Sequence, residues 1–196
     1  MKHRWITALL LCLYPFAAAR SQHVGYTVPE PTYKLMQPSP NSCWATAATM
    51  LVSWKAGHSM TTDSVMTQAG PHFAQVFRAD TGLLGEDKAP FLAALQLKAE
   101  PPASYSAQAL ESALKRWGLL WVTTNEAPGT HVSVHGRILS GILGDSSGDG
   151  TTLLLIDPDD GKTHTETLTA FTAKLESVAR LDYGQNADVR PLIVHF

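Results

Sequence analysis

Between Ser42 and Gly57 the chain reads CWATAATMLVSWKA, and this run constrains the fold more than any other stretch. Ala45, Ala47, Ala48, Met50, Leu51, Val52 and Trp54 wind onto most of a helix surface, where a peripheral helix would keep a polar face. A helix apolar on nearly all sides has to be enclosed by other elements, so it is central. Gly57 follows as a residue able to take a left-handed C-terminal cap, and Asn41 and Ser42 are the candidates for the N-cap. With 44% hydrophobic and 16% charged residues, against roughly 25% charged in an average globular protein, the chain has the apolar material to close around this helix.

Further helices are expected over residues 62–69, 87–98 and 107–117, the last ending at Gly118. Beyond Gly118 the period turns strand-like. Residues 119–124, 131–143, 151–157 and 163–168 are rich in β-branched side chains and separated by Gly, Asp and Ser turns. A short helix near 171–178 and a strand over 192–196 complete the chain. Helices first and then an antiparallel sheet give an α+β class.

The opening segment has a different character. Met1-Lys-His-Arg precedes an apolar stretch from Trp5 to Ala19, which ends on Ala17-Ala18-Ala19. A basic head, an apolar body too short to span a bilayer and small residues at the end describe a secretory signal peptide over 1–19. The expectation is export, to the periplasm or beyond, with no stable membrane insertion. Residues 20–36 read as an extended N-terminal arm and 37–196 as one domain; cleavage leaves about 175 residues, enough for a real core. A net charge of −2 with no run of like charge gives no electrostatic footprint for nucleic acid. A monomer is expected.

Cleavage would remove Cys12 and leave Cys43 as the one cysteine, which cannot form an internal disulfide. A lone cysteine in an apolar helix is ordinarily packing. Its position and one neighbour argue otherwise here. Cys43 opens its helix, where unpaired N–H groups and about half a positive charge favour thiolate. Gln37, six residues earlier, can fold its amide back beside the sulfur and, with the Cys43 N–H, bind an oxyanion.

Gln37 followed by Ser42-Cys43-Trp44 resembles the nucleophile motif of papain-like cysteine peptidases. Asn41 departs from the cysteine-glycine that precedes this motif in papain and cathepsins, which points to a bacterial branch. His135-Gly-Arg-Ile-Leu-Ser-Gly-Ile-Leu-Gly-Asp and Ile156-Asp157-Pro158 look like the His and Asp-Pro segments of bacterial papain-like effector peptidases of the avirulence-protein type. The resemblance implies a helical N-terminal lobe, with the nucleophile helix packed on a C-terminal antiparallel sheet. It also implies a triad of Cys43, His135 and Asp157 with Gln37 as oxyanion donor, and no cofactor. If the strands bearing His135 and Asp157 pair as a hairpin around 144–150, their outer ends meet.

His131 is the rival base, four residues before His135 and on the same expected strand face. His58, His72 and His164 read as surface or loop residues and His195 as a strand residue, all without evident partners. Trp44 and Trp54 read as core aromatics. Asp145–Gly150 has a calcium-loop flavour with the wrong spacing, and reads as a polar hairpin turn. His131, His135 and Asp157 hold the residue types for zinc, but no paired metal motif supports it. Two function classes follow. One is an exported cysteine hydrolase acting on proteins or peptides, or on peptidoglycan peptides as an amidase or endopeptidase. The other is a papain-like binding module that has lost activity, against which the intact Gln37, Cys43, His135 and Asp157 argue.

Overall fold

The computed structural model describes residues 23–101, 103–127, 132–184 and 193–196. In chain order its elements are β1 (Val24–Thr27), α1 (Cys43–Ala56), α2 (Thr62–Ala69), α3 (Pro71–Arg78), α4 (Gly85–Ala94), β2 (Lys98–Glu100), α5 (Ala107–Trp117), β3 (Leu120–Asn125), β4 (Val134–Gly144), β5 (Thr151–Asp157), β6 (Lys162–Thr167), α6 (Leu168–Gly184) and β7 (Ile193–His195). The class is α+β.

α1 occupies the place its sequence demands. Ala45, Ala47, Ala48, Met50 and Leu51 are fully buried, and Gly57 caps the helix in the left-handed conformation, with φ 74°. Trp44 packs edge-on against Phe91 of α4, ring centroids 5.0 Å apart. Trp54 is half-buried and lies where Gly118 would carry a side chain: a Cβ there would sit 1.9 Å from the indole.

The strands form one antiparallel sheet in the order β2-β7-β3-β4-β5-β6. β4 is long enough to carry two partners along one edge. β3 pairs with Val134–Leu139 and β1 with Gly141–Gly144, while β5 runs along the other edge. A register shift between Leu139 and Gly141 bends β4 where its partner changes. The faces are covered by helices on both sides. Gly136 looks toward the Trp121 indole and the Cys43 carbonyl, so α1 lies on that face. Arg137, one residue on, points the opposite way into ion pairs with Glu126 and Glu166, which Lys174 of α6 also engages.

Several expectations change in detail. The N-terminal arm holds a strand, because β1 satisfies its backbone along β4 through Val24↔Gly144 to Thr27↔Gly141. The helix expected over 87–98 stops at Ala94; Gln96 takes φ 58° and Lys98–Glu100 become β2, paired with β7. α3 is additional. Pro71 sits at its first turn, where a missing N–H costs nothing, so the Gly70-Pro71 break starts a helix. α6 extends well past 171–178 at both ends. The start of β4 expected at His131, and the leader with Cys12, lie outside the described residues. Among the described residues no helix is long and apolar enough to cross a membrane.

Candidate active site

The β4–β5 hairpin brings the second half of the site together. Its turn is the polar one expected, closed by Asp145 N–H on the Gly150 carbonyl at 3.2 Å and by the Asp145 carboxylate on Ser147. At the far ends of the strands, His135 and Asp157 meet: Nε2 of the ring lies 2.8 Å from Asp157 Oδ1. That bond consumes Nε2 and leaves Nδ1 as the ring atom for a second partner. The second partner is Cys43, whose side chain interacts with the imidazole from the first residue of α1.

Gly136 makes this approach possible. A Cβ at that position would stand 2.8 Å from Trp121 Nε1 and 3.7 Å from the Cys43 carbonyl oxygen. A side chain there would collide with the Trp121 indole that packs between the sheet and the start of α1, while meeting the Cys43 carbonyl only at ordinary contact distance.

The electrostatics follow from these contacts. Burial opposes a charge on His135, but its bonds to Asp157 and Cys43 and their negative charge outweigh it, raising its pKa from 6.5 to about 10. Burial likewise pushes Asp157 up, yet the hydrogen bonds from His135 and from the Asp159 N–H, with the charges of His135 and Arg137, hold it below its ordinary value. The pair is therefore imidazolium and carboxylate at neutral pH.

Gln37 is placed differently from its three companions. Its side-chain Nε2 donates to the Pro40 carbonyl at 3.2 Å, and its backbone N–H donates to the Pro158 carbonyl at 2.6 Å. Its Oε1 is buried, with no hydrogen-bond partner among the described residues. A cleft of about 750 Å³ opens over Cys43, His135 and Asp157, walled also by Pro40, Trp44 and Trp121. Gln37 stands behind Pro40 rather than in that wall.

The loop before Cys43 is fastened from outside. Asp80, at φ 52°, accepts from Ser39 Oγ and the Asn41 N–H at 2.8 Å each, and its carbonyl accepts from Asn41 Nδ2 at 2.9 Å. Ser42 makes no capping bond to the helix; its hydroxyl donates to the Ser39 carbonyl at 2.7 Å and accepts from the Ser39 N–H. Neither cap candidate closes the first turn of α1 with its side chain, because Asp80 and Ser39 claim both.

Behind His135 lies a half-buried ion network, centred on buried Arg137, that the sequence reading missed. Arg137 donates to Thr124 Oγ1 and pairs with Glu126 at 3.0 Å and Glu166 at 3.1 Å; Lys174 reaches the same two carboxylates at 2.7 and 2.6 Å. The one local signal was Arg137 itself, a charge two residues from His135 in a strand read as buried.

The other described histidines do have partners. His72 meets Asp87 at 2.8 Å and His164 meets Asp160 at 3.1 Å, both on the surface. His195 is buried, stacked on Trp117 at 4.0 Å and bonded to Glu100 at 3.0 Å. His131 lies outside the described residues. Ligand atoms of His135, Asp157 and Asp159 fall within 4.8 Å of one another, but the 2.8 Å between Nε2 and Oδ1 is a hydrogen-bond separation.

No curated protein matches the chain significantly. Residues 22–176 match the family model described as papain-like cysteine protease AvrRpt2, a span running from before β1 into α6. With four-fifths of its length inside that match, the chain belongs to the AvrRpt2 family of papain-like cysteine peptidases and is a peptide-bond hydrolase.

Proposed function

We propose that Cys43 is the nucleophile, His135 the acid and base, Asp157 the group that orients His135, and Gln37 a donor to the oxyanion. The observation that carries the reading is His135 itself, bonded through Nε2 to Asp157 and interacting with Cys43 on its other side. The Cys43 thiolate attacks the carbonyl carbon of a peptide bond, and the carbonyl electrons move onto oxygen. The N–H of Cys43 and the Gln37 amide stabilise that oxygen, using the Gln37 hydrogen not given to Pro40 or swinging from Pro40 altogether. Imidazolium Nδ1–H protonates the amine as the carbon–nitrogen bond breaks, leaving a thioester on Cys43. Neutral His135 then takes a proton from water, whose oxygen attacks the thioester; the acid product leaves and the thiolate–imidazolium pair is restored.

The substrate is a protein or peptide. Export by a leader over residues 1–19 would deliver the enzyme to the periplasm or outside the cell, where its target is met. The test is to incubate the chain from Arg20 onward, and its Cys43→Ala variant, with a denatured protein and separately with purified peptidoglycan, reading fragments by mass spectrometry. Peptide fragments from the unaltered chain alone are expected. Equal cleavage by Cys43→Ala would remove the nucleophile assignment, and fragments from peptidoglycan only would move the substrate to the cell wall.

A further inference from the structure

The turn from Asp157 to Gly161 touches both the His135-orienting carboxylate and the backbone of Gln37. It is closed tightly. Gly161 N–H donates to the Asp157 carbonyl at 2.8 Å, and Asp159 N–H donates to Asp157 Oδ1 at 2.9 Å, so the turn fixes the carboxylate that bonds His135. Pro158, buried and locked in φ by its ring, presents its carbonyl outward to the Gln37 N–H at 2.6 Å. Gly161 adopts φ +66°, and a Cβ there would meet Met36 N at 3.1 Å and the Leu35 carbonyl carbon at 3.2 Å. Those are backbone atoms, which cannot rotate aside as a side-chain tip would. Residues 35–37 therefore lie directly on the turn, and a side chain at 161 has to displace them by a few tenths of an ångström.

We propose that Gly161 and Pro158 are positioning residues for Gln37: the Asp157–Gly161 turn is a cradle that sets the depth at which the Gln37 amide stands behind the cleft. The inference rests on the reading of Gln37 as an oxyanion donor. It assigns the turn a task beyond reversing the chain between β5 and β6, since one short segment then registers the carboxylate and the oxyanion donor against each other. A Cβ at 161 pushes Met36 outward and withdraws Gln37, while leaving Cys43, which belongs to α1, in place.

Two reactions of the same thiol separate this from a general structural role. Peptide hydrolysis develops an oxyanion; alkylation of Cys43 by iodoacetamide does not. Gly161→Ala is expected to lower kcat roughly tenfold or more, the scale of a small misplacement, with KM and the alkylation rate near those of the unaltered chain. Gly57→Ala is the control, because Gly57 has φ +74° and nothing within 4 Å of a Cβ; it suffers the backbone strain without the contact. Should Gly161→Ala not fold by thermal unfolding, Gly161→Asn carries the test, since asparagine tolerates the left-handed region but keeps the Cβ. Gln37→Ala should itself lower kcat by roughly 10²-fold, and adding Gly161→Ala to it should cost nothing further.

Losses that multiply in the double variant would overturn the proposal, as would an alkylation rate that falls in step with kcat, which would place the effect on Asp157 and His135. Normal turnover in Gly161→Ala, with Gln37→Ala impaired, would overturn the cradle alone. Normal turnover in Gln37→Ala would overturn both the oxyanion reading and the cradle built on it.

Discussion

His135 is the residue on which the site's electrostatics converge. Its raised value, about 10, means the folded protein binds a proton on this ring where the unfolded chain, at an ordinary 6.5, would already have lost it. The resulting stabilisation is complete below about 6.5 and disappears as pH climbs through about 10. Asp157 runs the other way: its lowered value contributes stability above the ordinary 3.8, lost as acid carries the pH down through its folded value. Urea unfolding of the protein and of His135→Ala should therefore differ most near pH 6 and converge toward pH 10, on the order of one folded pKa window. A difference constant over that range would show that the ring carries no extra proton. Asp157→Asn should reduce turnover less than His135→Ala, since an amide still orients the ring. That Cys43, His135 and Asp157 line one cleft was legible because short motifs mark them. Asp80 was not, because a left-handed aspartate has no local signature that names the loop it will hold.

At the scale of elements, α1 and the β4–β5 hairpin carry the site, and both follow from local pattern. α2, α5 and β5 also have the bounds their periodicity implies. What local pattern could not reveal are β1 and β2, three or four residues each, whose partners Gly144 and Ile193 lie far along the chain. A strand that short has no period of its own; it exists because an open edge satisfies its backbone. The loop that starts α1 is likewise held by a distant residue. Asp80→Ala removes the acceptor of Ser39 Oγ and the Asn41 N–H, and should destabilise the protein by about 1–2 kcal/mol while lowering turnover several-fold. Asp80→Asn, which keeps an acceptor and tolerates the left-handed backbone, should lose less of both. Chemical denaturation beside turnover checks the order; equal losses in the two variants would mean that the backbone at 80, not its side chain, holds the loop.

For the whole molecule, the arrangement joins two halves of one chain. Cys43 comes from the helical first half; His135 and Asp157 come from the sheet of the second half. Between the sheet and α6, Arg137 and Lys174 face Glu126 and Glu166, two charges against two, and the network seats β3, β4, β6 and α6 behind His135. Losing Glu126 or Glu166 would take a partner from the buried Arg137 guanidinium, which is typically more costly than losing a surface pair. The α+β class was legible from the order of periods. The interleaving of β1, β2 and β7 into a single sheet was not, because edge pairing depends on which edges the folded core leaves open. All of the proposed chemistry depends on the pairing of Cys43 with His135. The rate at which iodoacetamide alkylates Cys43 at about pH 6, where a free thiol is almost wholly protonated, tests it most directly. Rapid, stoichiometric alkylation of the unaltered protein is expected, with a rate at least roughly tenfold lower in folded His135→Ala, which has lost the imidazolium that stabilises the thiolate. Equal rates in the two proteins would contradict it.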